Sequence, residues 1–242
     1  MSGAESKELE AMKARLADVE RRIEAACERA GRERADVTLI AVSKTHSLEA
    51  IQALQTLGVR DFGESYVQEW EGKAEALSDA IRWHFIGGLQ SNKARFVTGR
   101  VALIHSVDRK SLIKALARRS EELVEVLLQV NISGEESKGG VEPGDVASLY
   151  ESAVARSGLR VRGLMGMAPY ADDPEEARPY FRRLRECFDV LRAFVADSFP
   201  DEEASLTELS MGMSGDFEVA IEEGATLIRV GSALFGERIY DA

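Results

Sequence analysis

A lysine closes one of the short apolar runs of this chain. The run LIAVSK covers residues 39–44 and ends on Lys44. Because side chains alternate along a strand, Ile40, Val42 and Lys44 share one face, so a strand that buries Val42 also carries Lys44 on its buried side. An amine held there, partly shielded from water, can form a Schiff base with an aldehyde. The alternative is a lysine that simply extends from the strand end to water.

Two Gly- and Ser-rich segments near the other end of the chain could hold a phosphate. They read SMGMSGDFE (210–218) and RVGSALFGER (229–238). Free backbone N–H groups at the start of a helix suit an anion, and Ser214 lies in the first such loop. In the second segment Gly231 permits close backbone approach, and Ser232 adds an N–H and a hydroxyl. The glycines could equally serve only to make tight turns.

Arg229 lies on the apolar run that precedes Gly231. A buried guanidinium needs an acceptor, which could be a protein carboxylate or the ring nitrogen of a bound heterocycle. An amine for an aldehyde, a cradle for a phosphate and a cation for a ring nitrogen are together the requirements of pyridoxal 5′-phosphate.

The elements that must position these residues alternate regularly. An amphipathic helix is predicted over residues 6–30, and eight apolar runs with helical patterns between them follow. The predicted strands are 37–44, 59–64, 81–87, 101–107, 124–132, 159–165, 205–211 and 226–231. The predicted helices between them are 48–57, 66–78, 91–98, 109–120, 145–156, 175–197 and 216–223. Ser65 and Gln68 have the spacing of a capping box, and Pro174 and Gly215 mark two other helix starts.

This alternation, without a linker-like break, predicts an α/β protein: a single (β/α)8 TIM barrel with an extra N-terminal helix, forming one domain over residues 1–242. A doubly wound open sheet is the alternative. In a barrel, functional residues lie where strands run into their following loops, at the C-terminal face. Lys44 ends the first predicted strand, Gly231 ends the eighth, and Ser214 follows the seventh.

Composition narrows the function classes. A net charge of −11 argues against a nucleic-acid partner and against an anionic membrane surface. Cys27 and Cys187 fall within helical patterns and lack metal-ligand spacing, so we predict no metal site and a reducing, cytoplasmic location. The N-terminus resembles neither a signal peptide nor a membrane span. No long apolar surface stripe remains, which favours a monomer.

Six stretches resemble one family, the pyridoxal phosphate homeostasis proteins. They are LIAVSKT (39–45), FGESYVQE (62–69), WHFIGGLQSNK (83–93), SKGG (137–140), RGLMGM (162–167) and LSMGMSGDFEVAIEEGATLIRVGSALFGER (209–238). The resemblance implies a single barrel similar to the cofactor domain of alanine racemase, with pyridoxal phosphate bound through Lys44. It also implies phosphate contacts from Ser214, Gly231 and Ser232, and a place for Arg229 near the ring nitrogen.

One position departs from the family pattern, which usually reads FGENYVQE. Ser65 stands where the asparagine is expected and lacks the second hydrogen-bonding group of an amide. His84 is predicted to be a core histidine rather than a ligand, and His46 and His105 carry no interpretable signal. Methionines at predicted strand ends are candidates to flank a flat ring, with core packing as the alternative: these are Met165, Met167, Met211 and Met213.

Three functions are compatible with these features. The first is a protein that holds pyridoxal phosphate as a Schiff base in intracellular vitamin B6 homeostasis and supplies it to apoenzymes, without turnover and with no catalytic residue assigned. The second is an alanine-racemase-like enzyme acting on amino acids. It is disfavoured because the second acid/base of related racemases comes from a further domain, whereas this chain stops at Ala242, and because Arg229 would weaken the ring as a carbanion sink. The third, a Schiff-base aldolase acting on a sugar phosphate, accounts less well for Lys44 and Arg229.

Overall fold

Eight parallel strands pair in chain order, and β8 pairs with β1, so the sheet closes into a barrel. The computed structural model describes residues 3–118, 123–135 and 139–236. Among the residues named above, positions 119–120 of one predicted helix, Ser137, Lys138, Glu237, Arg238 and the chain end lie outside these ranges. The strands are β1 (Thr38–Val42), β2 (Asp61–Glu64), β3 (Arg82–Phe85), β4 (Leu103–Val107), β5 (Val124–Gln129), β6 (Leu159–Met165), β7 (Glu208–Ser210) and β8 (Leu227–Val230).

Helices follow each strand and cover the outside of the barrel. They are α1 (Gly3–Arg29), α2 (Leu48–Thr56), α3 (Val67–Ala76), α4 (Ala94–Val97), α5 (Lys110–Ala117), α6 (Val146–Val154), α7 (Arg178–Ser198), α8 (Phe217–Glu222) and α9 (Ser232–Phe235). The apolar stripe of α7 is buried as its spacing predicts, at Phe181, Leu184, Phe188, Leu191 and Val195. The predicted (β/α)8 barrel with an extra N-terminal helix is confirmed, and the open-sheet alternative is excluded.

Two apolar clusters separate the barrel interior from the layer between sheet and helices. The interior cluster is Ile40, Leu103, Leu127, Met165 and Leu227. Leu39 and Ala41 belong instead to the larger outer cluster. The side chains of β1 therefore point alternately to the outer layer and to the barrel interior. By this alternation the side chain of Val42 points to the interior.

Two local predictions are wrong. Ser65 is not a helix cap: α3 begins at Val67, its N-cap is Tyr66, and no side chain caps it. The position of Ser65 is set instead by its packing, since a Cβ at Gly87 would lie only 2.2 Å from the Ser65 carbonyl oxygen. Lys44 is not on the strand either, because β1 ends at Val42 and Lys44 lies in the turn that follows.

Among the described helices, none combines the length and apolar content that crossing a bilayer requires. The longest, α1, carries charged residues throughout and packs against α8 and α9. Its contact with these last helices ties the N-terminal element to the end of the barrel that follows β8.

Candidate functional site

Three neighbouring strands bring the predicted site residues to one end of the barrel. β7, β8 and β1 are adjacent in the closed sheet, with Ile40 opposite Arg229 in the β1–β8 register. Lys44, Ser214 and Gly231 follow these strands at their C-terminal ends. The end of β1 also lies beside the residue that follows β8, since a Cβ on Gly231 would lie 3.5 Å from Val42 Cβ. The structure therefore brings the lysine and the Gly- and Ser-rich loops together.

Lys44 lies in a turn whose backbone is held on both sides. The Ser43 carbonyl accepts a hydrogen bond of 2.7 Å from Lys73 Nζ, and the Thr45 N–H donates to Glu69 Oε1. Thr45 has φ of 67°, the one positive value among the described residues other than glycine, and such a conformation persists only when its surroundings hold it. Lys44 itself is half-buried, and within the described residues its amine has no hydrogen-bond or ion-pair partner.

A buried charged cluster beneath the turn supplies these backbone contacts. Lys73 Nζ lies 2.7 Å from Glu64 Oε1 and 2.6 Å from Glu69 Oε1, and the Ser43 hydroxyl donates to Glu64 at 2.7 Å. Burial raises the pKa of Glu64, against the opposing influence of Lys73. We call Ser43, Glu64, Glu69 and Lys73 the lysine clamp. Sequence reasoning missed it: the only signal was the i, i+4 spacing of Glu69 and Lys73, which usually marks a solvated helix face.

The phosphate-type loops meet at the hydroxyl of Ser214. Its Oγ accepts hydrogen bonds from the backbone N–H of Gly231 at 3.1 Å and of Ala233 at 3.3 Å. Ser232 is exposed at the first turn of α9. The N–H groups of Gly231 and Ala233 thus point at the Ser214 hydroxyl where β7 and β8 end, and Ser232 lies between them in the chain.

Met213 precedes Ser214 and leaves 37% of its surface exposed. Its N–H donates to Asp216 Oδ1 at 2.6 Å, which closes the loop before α8. Met165 and Met211 are buried, and Met167 packs against the barrel interior. Met213 therefore remains the methionine best exposed towards a ligand among the four proposed.

Arg229 is buried, with 4% of its surface exposed, and contacts only neutral acceptors. It donates to Ser210 Oγ at 2.6 Å and to the Gly166 carbonyl at 3.1 Å. No carboxylate among the described residues lies within ion-pair distance of it. Burial lowers the pKa of Arg229 to about 10, although the charge of Asp216 acts in the opposite direction. The guanidinium is therefore a buried cation that still lacks a counter-charge in contact.

The remaining candidates divide between core and loop roles. His84 is buried and hydrogen-bonded, as predicted for a core histidine. His105 is also buried, a position that sequence reasoning missed although Leu103 and His105 alternate on an apolar strand. Ser65 is half-buried in the bend after β2. In the described part of the chain, no group of three or more His, Cys, Asp or Glu side chains is placed to hold a metal ion.

The fold defines a barrel of the alanine racemase N-terminal-domain class. The family model described as alanine racemase, N-terminal domain, matches residues 14–239. An alanine racemase structure from Corynebacterium glutamicum shares the fold at 14% identity, with a TM-score of 0.67 over 90% of this chain and 59% of that one.

Within this class, the chain belongs to the pyridoxal phosphate homeostasis protein family. The protein of that name from Aquifex aeolicus is 47% identical over 230 residues, which cover 93% of this chain and 98% of that protein. The structure of PipY from Synechococcus elongatus with PLP bound is 35% identical, with a TM-score of 0.77, and covers 93% of this chain and 100% of that chain. The family predicted from the six stretches is confirmed.

Proposed function

We propose that this protein binds pyridoxal 5′-phosphate as a Schiff base on Lys44 and takes part in intracellular vitamin B6 homeostasis. The observation that carries the proposal is Arg229, a buried cation with neutral acceptors only. Such a group is costly to bury unless an acceptor from outside completes its surroundings. A heterocycle with a ring nitrogen and an anionic substituent can provide that acceptor. Relatives named for pyridoxal phosphate, and one whose structure contains it, support this choice of ligand.

Each end of the ligand has a matching group in this proposal. Lys44 would hold the cofactor through its amine, which forms a Schiff base with an aldehyde by loss of water, and the clamp on the flanking backbone would orient that amine. Ser214, Gly231 and Ser232 bind the phosphate, Arg229 donates to the ring nitrogen, and Met213 and Ser65 line the ring. When bound, the cofactor supplies an electrophilic aldehyde and an electron-withdrawing ring.

We further propose that the protein holds and releases the cofactor without turnover of its own. A permanently charged Arg229 beside the ring nitrogen keeps that nitrogen unprotonated, so the ring is a weak acceptor for a carbanion. The related proteins are named for homeostasis rather than for an enzymatic activity, which supports the same choice. An assay for racemisation of L-alanine by the loaded protein should give no D-alanine above the cofactor-only rate.

Lys44→Ala tests the central step. The wild-type protein loaded with pyridoxal phosphate should absorb in the visible range, and borohydride reduction should fix the ligand on a peptide that contains Lys44. Lys44→Ala should abolish both signals while circular dichroism stays unchanged. Lys93→Ala is the matched control, because Lys93 is also half-buried and follows β3 at the same end of the barrel. A fixed ligand in Lys44→Ala at the wild-type level would refute the assignment.

Transfer to apoenzymes and a monomeric state in the cytoplasm complete the proposal. Mixing the loaded protein with a pyridoxal-phosphate-dependent apoenzyme should restore that enzyme's activity, and light scattering should give the mass of a single chain of 26.6 kDa. Failure of the Lys44→Ala protein to activate the apoenzyme under the same conditions would tie delivery to this site.

A further inference from the structure

Polar side chains cross the barrel interior in an unbroken series that ends at Arg229. Asp61 Oδ1 lies 2.9 Å from His84 Nε2, and His84 Nδ1 lies 3.0 Å from His105 Nε2. His105 Nδ1 lies 2.9 Å from Ser210 Oγ, which accepts from Arg229 at 2.6 Å. Asp61 begins β2, at the N-terminal end of the barrel, whereas Arg229 lies near the C-terminal end of β8. The series therefore spans the barrel from one end to the other.

The carboxylate end determines the direction of the hydrogen bonds when each imidazole carries one proton. Arg229 can only donate, so Ser210 accepts from it, and the Ser210 hydroxyl hydrogen is free to donate to His105 Nδ1. His105 is then protonated on Nε2 and donates to His84 Nδ1. His84 in turn is protonated on Nε2 and donates to Asp61, whose carboxylate can only accept. The opposite direction would set the lone pair of His84 Nε2 against an ionised carboxylate.

Burial supports a neutral His105 within this series. His105 is fully buried, and desolvation lowers its pKa well below 6.5, with the charge of Arg229 acting in the same direction. No nitrogen or oxygen of these five side chains is among the buried polar atoms that lack a partner in the described structure. The other charged groups facing the ends are Arg82, whose Nε is 3.4 Å from Asp61, and Asp216 near Arg229.

We propose that Asp61, His84, His105 and Ser210 form a one-way hydrogen-bond chain that positions Arg229 for the cofactor ring, with both imidazoles donating from Nε2 and accepting at Nδ1. An anion at one end and a cation at the other polarise all the bonds in the same sense, which strengthens the series. Ser210 and the Gly166 carbonyl occupy two of the five N–H groups of Arg229, so the plane of the guanidinium is fixed. What Arg229 contacts depends on the proposed function, but the chain itself does not.

Nitrogen-15 spectra of the histidines test the chain in the ligand-free protein. The sequence contains three histidines, so long-range correlations between ring protons and ring nitrogens resolve each tautomer, with His46 identified by a His46→Gln variant. His84 and His105 should both be Nε2–H tautomers whose Nδ1 accepts a hydrogen bond. A proton on Nδ1 of either ring would overturn the proposal.

A charge-removing pair of variants tests whether the members are coupled. Asp61→Asn removes the terminal anion and should shift the ring signals of His84 and also those of His105, which Asp61 does not contact. Asp79→Asn removes the same charge from an exposed position shortly before β3 and should shift neither. Signals that move only at His84 would reduce the series to a local pair and refute the chain.

Addition of pyridoxal phosphate separates failure of this proposal from failure of the proposed function. If the visible absorption appears and the His105 signals shift, the chain reaches the cofactor through Arg229. If the absorption appears and His105 does not respond, the link to Arg229 is refuted while the proposed function stands. If no absorption appears, the proposed function fails, and the tautomers of the free protein still decide whether the chain exists.

Discussion

Replacing Lys73 by methionine would test the clamp that holds the backbone around Lys44. The Lys73 and Glu64 side chains are 7% and 0% exposed, and their charged atoms lie 2.7 Å apart. Methionine keeps the apolar stem and removes the ammonium group. Glu64 would then remain in the core with the Ser43 hydroxyl as its only donor among the described residues.

The expected loss follows from the burial of this pair. Removing one partner of a buried ion pair destabilises a protein by about 3–5 kcal/mol. Burial already raises the pKa of Glu64 above its ordinary value of 4.5, and Lys73 opposes that shift. The folded state therefore binds the proton more tightly than the unfolded chain, so stability falls as pH rises from about 4.5 through the folded pKa. Without Lys73 the folded pKa rises further, and the loss is greater at about pH 8 than at about pH 5.

Urea unfolding at these two pH values measures the effect. Arg21→Met is the matched control, because the Arg21–Asp18 pair is 70% and 50% exposed and its loss should cost about 0.5 kcal/mol or less. Glu64→Gln combined with Lys73→Met removes both charges and should recover most of the lost stability. The share of chains that carry a borohydride-fixed ligand on Lys44 should also fall in the single variant.

Two outcomes would refute this reasoning. If Lys73→Met lowered the free energy of unfolding by less than about 1 kcal/mol at about pH 8, the Lys73–Glu64 pair would contribute no more than an exposed ion pair. A double variant that is no more stable than Lys73→Met would show that an uncompensated Glu64 carboxylate is not the cause. If a destabilised but folded Lys73→Met protein carried the borohydride-fixed ligand on Lys44 at the wild-type level, the lysine clamp would not be what positions the amine.

Two further substitutions address the loops at the same end of the barrel. Ser214→Ala should weaken cofactor retention by about 1.5–3 kcal/mol, roughly 10- to 150-fold, because a hydrogen bond to a charged group is lost. Dialysis against an apoenzyme measures the release of the cofactor. Unchanged retention would show that the Ser214 hydroxyl does not bind the phosphate. Gly87→Ala should destabilise the protein by about 1–3 kcal/mol through its contact with the Ser65 carbonyl. Gly88→Ala, where a Cβ meets open space, is its control in thermal unfolding, and equal effects of the two would contradict the close approach.

Sequence periodicity predicted the barrel because apolar spacing reports burial over a whole element. The stripe of α7 recurs from Phe181 to Val195 within a helix of 21 residues, so packing and pattern agree there. The four-residue α9 was not predicted, whereas the equally short α4 falls within the predicted helix 91–98. The capping box at Ser65 failed because its signature is local, and α3 begins only at Val67, after the N-cap Tyr66.

The candidate ligand contacts were readable in the sequence, but the residues that support them were not. Lys44 and Gly231 end apolar runs and carry recognisable chemistry. Glu64 and Lys73 look like ordinary surface charges until β2 and α3 bring them together. Likewise, His105 meets Ser210 across 105 positions of the chain, a pairing that only the closed barrel creates. Long-range polar contacts leave no periodic trace in one sequence.

The two buried polar networks are better explained by orientation than by stability. Burying charged groups costs about as much free energy as their pairing returns. Apolar side chains of the kind found at Leu103 and Leu127 in the barrel interior would therefore stabilise the same positions at least as well. The lysine clamp lies outside the sheet and fixes the turn around Lys44, whereas the histidine chain lies inside it and fixes Arg229. Lys44 follows β1 and Arg229 lies on the neighbouring β8, and the two groups serve different parts of one proposed ligand. No hydrogen bond of the described residues joins the two networks. Lys73→Met should therefore leave the tautomers of His105 unchanged, and Asp61→Asn should leave Lys44 reactive towards an aldehyde.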